Sequence, residues 1–71
     1  TKISFAMPKS GFVSLKIYDI LGKEVRTLVN EDKPAGEYLV DFNASGLQSG
    51  VYFYKLETDG FSQTMRMLLI K

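Results

Sequence analysis

The sequence predicts an all-β fold, a small sandwich of six to seven antiparallel strands in a single domain. Turn-forming residues recur at short, regular intervals: Pro8-Lys9-Ser10-Gly11, Gly22, Asn30 to Gly36, Asn43 to Gly50, and Asp59-Gly60. The segments between them alternate apolar and polar residues with a period of two and are rich in β-branched and aromatic side chains, the pattern of half-buried strands. No amphipathic segment of helical period and useful length competes with them. The chain has 71 residues, too few for more than one domain.

The elements follow in order. Ile3, Phe5 and Met7 share one face of a first strand. Val13, Leu15 and Ile17 alternate with Ser14, Lys16 and Tyr18 in a second. In "DILGKEV" Asp19 can accept hydrogen bonds from turn backbone and Gly22 can take a positive φ, so a hairpin leads into a third strand over residues 25–29. A short helix over residues 19–29 also fits the spacing of Leu21, Val25, Leu28 and Val29. The β-branched Val25, Thr27 and Val29 favour the strand.

"NEDKPAGEY" reads as a polar loop. Gly36 releases a fourth strand with Tyr38, Val40 and Phe42 on one face and Leu39 and Asp41 on the other. After the loop "NASGLQSG", the strand "VYFYKLETD" is apolar on both faces at its start, which predicts a central position. Asp59-Gly60 is a two-residue hairpin signal leading into a last strand from Phe61 to Lys71. In "LQSGVY" Gly50 and Tyr52 sit where a strand begins. A tyrosine at such a corner, with its hydroxyl tied back to nearby backbone, marks immunoglobulin-like sandwiches. Tyr52 therefore reads as a buried corner residue rather than a ligand contact.

Composition excludes more than it includes. Histidine and cysteine are both absent, which removes the usual general bases, thiol nucleophiles and soft metal ligands. No serine sits in a Gly-x-Ser-x-Gly elbow. The eight carboxylates are dispersed, and adjacent Glu31 and Asp32 read as a solvated loop before a calcium site. Gly46 and Gly50 open onto a strand, so they form no phosphate-binding helix start. The net charge is +1 with scattered basic residues, unlike a nucleic-acid surface. Five Phe and four Tyr raise sugar stacking, but a core this thin needs most of them, and tryptophan is absent. No catalytic residue, cofactor site or metal site is expected. The chain starts at Thr1 with no basic segment followed by an apolar one, so it reads as a piece of a longer protein.

The closing "MRMLLIK" is the least ordinary feature. Its apolar run, Met67 to Ile70, is far short of the ~20 residues that span a bilayer. Its alternation suits a last strand, with Met65, Met67 and Leu69 on one face and Arg66, Leu68 and Ile70 on the other.

Four pieces in order resemble a known family. "TKISFAMPKSG", "VSLKIYDILGKEVRTLV", "AGEYLVDFNASGLQSGVYFYKLE" and "MRMLLIK" together resemble the C-terminal sorting domain of cargo of the type IX (Por) secretion system. The resemblance covers nearly the whole chain and implies an immunoglobulin-like sandwich without catalytic activity. Family members sit at the C-terminal end of secreted enzymes and adhesins of Bacteroidetes and related bacteria. The implied role is to direct that cargo from the periplasm across the outer membrane, to the cell surface or beyond. The implied partners are the type IX translocon, a sortase-like peptidase and an upstream cargo domain in the same chain, with no nucleic acid and no membrane-spanning segment. Carried over by position, Arg66, Met67, Leu68, Leu69, Ile70 and Lys71 match the stretch the translocon reads, and Gly22, Gly36, Gly50 and Tyr52 match structural positions. The alternative is a structural immunoglobulin-like accessory domain, or a relative of flagellar hook-capping domains, which share a similar hairpin.

Overall fold

The computed structural model describes residues 2–70. Within them lie six strands: β1 (Lys2–Met7), β2 (Gly11–Tyr18), β3 (Glu24–Lys33), β4 (Gly36–Asp41), β5 (Gly50–Thr58) and β6 (Phe61–Leu69). All pairings are antiparallel. β1 and β4 form one sheet, and the other four form a second in the order β3-β2-β5-β6. The all-β expectation holds, at six strands. Residues 19–29 form a hairpin, not a helix.

The alternation read from the sequence decides what is buried. Ile3, Phe5 and Met7 of β1 face Val13, Leu15 and Ile17 of β2, joined by Val29, Phe42, Tyr52, Leu56 and Leu69 in one cluster. Val13, Leu15 and Ile17 are inaccessible to solvent. β2 and β5 are the inner strands of the larger sheet, so their inner faces carry the middle of the core. Phe5 and Tyr38 stack across β1 and β4 with ring centroids 5.2 Å apart, a geometry that adds to simple burial. Every inner polar side chain is accommodated: among the described residues no buried side-chain nitrogen or oxygen lacks a partner.

Three sequence boundaries need correction, the smallest being β4, which ends at Asp41, one residue before Phe42. Residues 30–33, expected in a polar loop, continue β3 and pair with β2 from Gly11↔Lys33 to Ser14↔Asn30. β2 is already extended there, and its unpaired backbone groups on that side need a ladder partner. That requirement overrides the weak strand preference of Asn, Glu and Asp, whose side chains stay in solvent. At the other end, β6 stops at Leu69 rather than running to Lys71, which lies outside the described residues.

The turns are built as their residues suggest. The Asp19 carboxylate accepts hydrogen bonds from the backbone N–H of Leu21 and Lys23, both at 2.9 Å. Gly22 closes the same turn at φ 87°, a conformation L side chains rarely adopt. Gly36 and Gly50 each begin a strand, at φ 148° and 152°. Asp59-Gly60 joins β5 to β6, with Thr58 and Phe61 as the closing pair.

Candidate functional site: the β6 end of the larger sheet

The smaller sheet has two strands and the larger has four, so part of the larger sheet's inner face has no cover. The shortfall falls on β6. Leu69 is buried and Met67 half-buried, yet Met65 and Phe61, on the same face, are 42% and 50% exposed. Beside them a gap opens between β1 and β6, lined by Ser4, Ala6, Tyr54 and Gln63 as well.

The outer face of the same sheet is the more unusual surface. An antiparallel sheet packed on one side normally presents polar residues on the other. Here the strand register sets Tyr18 beside Phe53, Phe53 beside Arg66, and Val51 beside Leu68. Directly opposed residues project to the same side. Tyr18, Phe53 and Val51 are half-buried on that side, and Leu68 is 65% exposed. One position beyond the strand, Ile70 is 80% exposed. The patch continues over the end of the molecule, where the β2–β3 turn presents Ile20 and Leu21. There an open cleft of about 440 Å³ separates that turn from the β4–β5 loop and Val51.

Polar groups frame this apolar strip. In the next row along the sheet, Lys16 lies beside Lys55, and Lys55 beside Thr64. Lys16 pairs with Glu24 at 3.5 Å and Lys55 with Glu57 at 3.9 Å, exposed contacts of little energetic weight. The Glu24 carboxyl is held below its ordinary pKa, first by a hydrogen bond from the Thr27 hydroxyl (2.8 Å) and then by Lys16. Arg66 makes no ion pair with another described residue.

The residues singled out in the sequence fall into two groups. Arg66, Leu68 and Ile70 lie on the outer side of the sheet's last strand or just past it, while Met67 and Leu69 face inward. The stretch is thus half core and half surface, and Lys71 is outside the described residues. Tyr52 is buried and donates its hydroxyl hydrogen to the Gln48 carbonyl at 2.7 Å. That bond fixes the start of β5 against the loop before it, opposite Met67. Gly22, Gly36 and Gly50 sit at turn or strand starts away from any converging polar groups. Sequence alone does not bring Tyr18, Val51 and Phe53 to the site, because the apolar strip they form with Leu68 exists only once three strands are in register. The apolar start of β5 was the available signal.

A second cleft, about 780 Å³, lies at the opposite end between the β1–β2 loop and the β5–β6 turn, where the charged lining is Lys9 and Asp59. Glu31 and Asp32 sit on β3, and among the described residues no group of three acidic or other ligating side chains converges on a metal position. No helix among the described residues is long and apolar enough to cross a membrane.

One comparison speaks to the family of the chain. The family model described as Secretion system C-terminal sorting domain matches residues 1–71, the whole chain. The chain belongs to this family. Members of it are the sorting domains of type IX secretion, so the sorting domain marks a protein for export through the outer membrane to the cell surface or the medium. No curated protein and no solved structure matches the sorting domain significantly.

Proposed function

We propose that this sorting domain is a non-catalytic address. It carries a cargo protein attached ahead of it through the type IX translocon, and a sortase-like peptidase removes it afterwards. The translocon recognises the β6 end of the larger sheet through Arg66, Leu68 and Ile70 together with the terminal Lys71, while Met67 and Leu69 hold that strand in the core.

The observation that carries this reading is the exposure of Leu68 on a strand, and of Ile70 just past it, while buried Leu69 anchors the strand's other face. Leaving such residues in water forgoes the roughly 1.5–3 kcal/mol that full burial of a Leu or Ile side chain would contribute. A surface that gains nothing for its own fold in this way is typical of a contact made with something else. The absence of histidine and cysteine from the sequence fits a role in which the domain is recognised and performs no reaction.

The test is direct. Fused after a periplasmic reporter in a host with a working type IX system, residues 1–71 are expected to send the reporter outside the cell. Accumulation of intact fusion in the periplasm contradicts the proposal.

A further inference from the structure

The larger sheet ends in two free edges, and only one is protected against pairing. β3 carries five charged residues in ten and its register with β2 shifts twice, between Leu15 and Lys16 and between Ile17 and Tyr18. Charges and bulges of this kind are how sheets stop a foreign strand from adding to them. β6 has neither. It runs nine residues in unbroken register with β5, contains no proline, and carries a single charge, Arg66. Its closing pair at the turn is Thr58 and Phe61. By alternation from that pair, the backbone N–H and C=O groups of Ser62, Thr64, Arg66 and Leu68 point away from β5, toward the open edge.

We propose that β6 is a strand-addition site, and that its occupant is an extended segment of a partner protein with a carboxylate set opposite Arg66. This rests on the reading of the β6 end as the recognised surface and gives it a mode: main-chain pairing along the edge supplies affinity, while side chains on alternate positions supply choice. The charge of the occupant follows from what surrounds the edge. Arg66 has no carboxylate partner among the described residues, whereas Lys55, one row further along the same face, is already paired with Glu57 at 3.9 Å, so Arg66 is the charge left to answer. A second copy of this chain suits the edge poorly. Antiparallel self-pairing centred on Arg66 would set two guanidinium groups opposite each other, and like charges so placed repel. An acidic strand meets the same edge with opposite sign, and its apolar positions on that face extend the strip begun by Val51 and Leu68.

The experiment uses the full chain, isotope-labelled for amide exchange, and two synthetic nine-residue peptides. Both alternate valine with threonine; one has glutamate at its centre and the other lysine. The glutamate peptide is expected to slow exchange at Ser62, Thr64, Arg66 and Leu68, and to bind about fivefold more tightly than the lysine peptide, the scale of an opposed charge pair across strands. In Arg66→Glu, an exposed change that leaves the core untouched, the preference between the two peptides is expected to reverse. Three results would overturn the proposal: no slowing at these amides, slowing confined to β1 or β4, or equal affinity for the two peptides with no response to Arg66→Glu. Slowing that appears without peptide and grows with protein concentration identifies a second copy as the occupant and overturns it as well. The assay contains no secretion machinery, so a chain that exports a reporter yet binds neither peptide loses the strand-addition mode and keeps the sorting role.

Discussion

The two edges of the larger sheet solve different problems. β3 is a polar edge: its outward residues are charged or polar, none of its large apolar residues is exposed, and four of its five charges have local partners. Glu24 takes a hydrogen bond from Thr27 and pairs with Lys16, Lys33 pairs with Glu31, and Arg26 donates to the Ser45 carbonyl across to the β4–β5 loop. β6 is the reverse. With the residue just past it, it holds Phe61, Met65, Leu68 and Ile70, four of the exposed large apolar residues of the molecule. The difference teaches that the two edges of one sheet divide the exposed apolar surface unequally: β3 carries none of it, while β6 and the residue past it carry half of the exposed large apolar residues among those described.

That contrast is sharpest between two adjacent leucines. Leu69 is 5% exposed and Leu68 is 65% exposed. Leu69→Ala is expected to cost about 2–5 kcal/mol in denaturant unfolding, the range for deleting buried methyl groups. Leu68→Ala should stay within about 0.5 kcal/mol of the parent, as exposed changes do. Equal losses for the two would mean that the β6 end is ordinary core, and the contrast with β3 would fall. A smaller effect comes from the tether beside β6. Tyr52→Phe removes the hydrogen bond to Gln48 and is expected to cost about 1 kcal/mol, with faster amide exchange at the Met67 end of β6.

The smallest effect tests the closed electrostatics of β3. The pKa of Glu24 is lowered in the folded protein, so its ionised form is the favoured one. Its contribution to stability is present above the ordinary carboxylate pKa and is lost as pH falls through that value to the lowered one. Thr27→Val removes the main cause of the shift. The Glu24 titration midpoint, followed by carboxyl NMR, should then move up toward the ordinary value. No movement would show that β3's charges are not held as described.

Much of this architecture could be read before any coordinates. The period-two pattern placed Ile3, Phe5, Met7, Val13, Leu15 and Ile17 on the inner faces because alternation is a local property of each strand. The Asp19–Gly22 and Asp59–Gly60 turns were legible because their geometry demands those residue types. The extension of β3 through Asn30–Lys33 was not, since it is imposed by the unpaired side of β2 and runs against local preference. The candidate site was half legible. The apolar tail stood out, but its union with Tyr18, Val51 and Phe53 depends on the register of three strands, and the lack of cover over Phe61 and Met65 depends on one sheet being narrower than the other.

The central claim is that the outer side of the β6 end is read by the export machinery and does no work in the fold. It is tested most directly by measuring export of a reporter fused to Leu68→Asp/Ile70→Asp, against the parent chain and against Glu31→Lys/Asp32→Lys on β3. The account predicts that the β6 variant folds with an unchanged unfolding midpoint and remains in the periplasm, while the β3 variant is exported like the parent. Export of the β6 variant at the parent's level would contradict it.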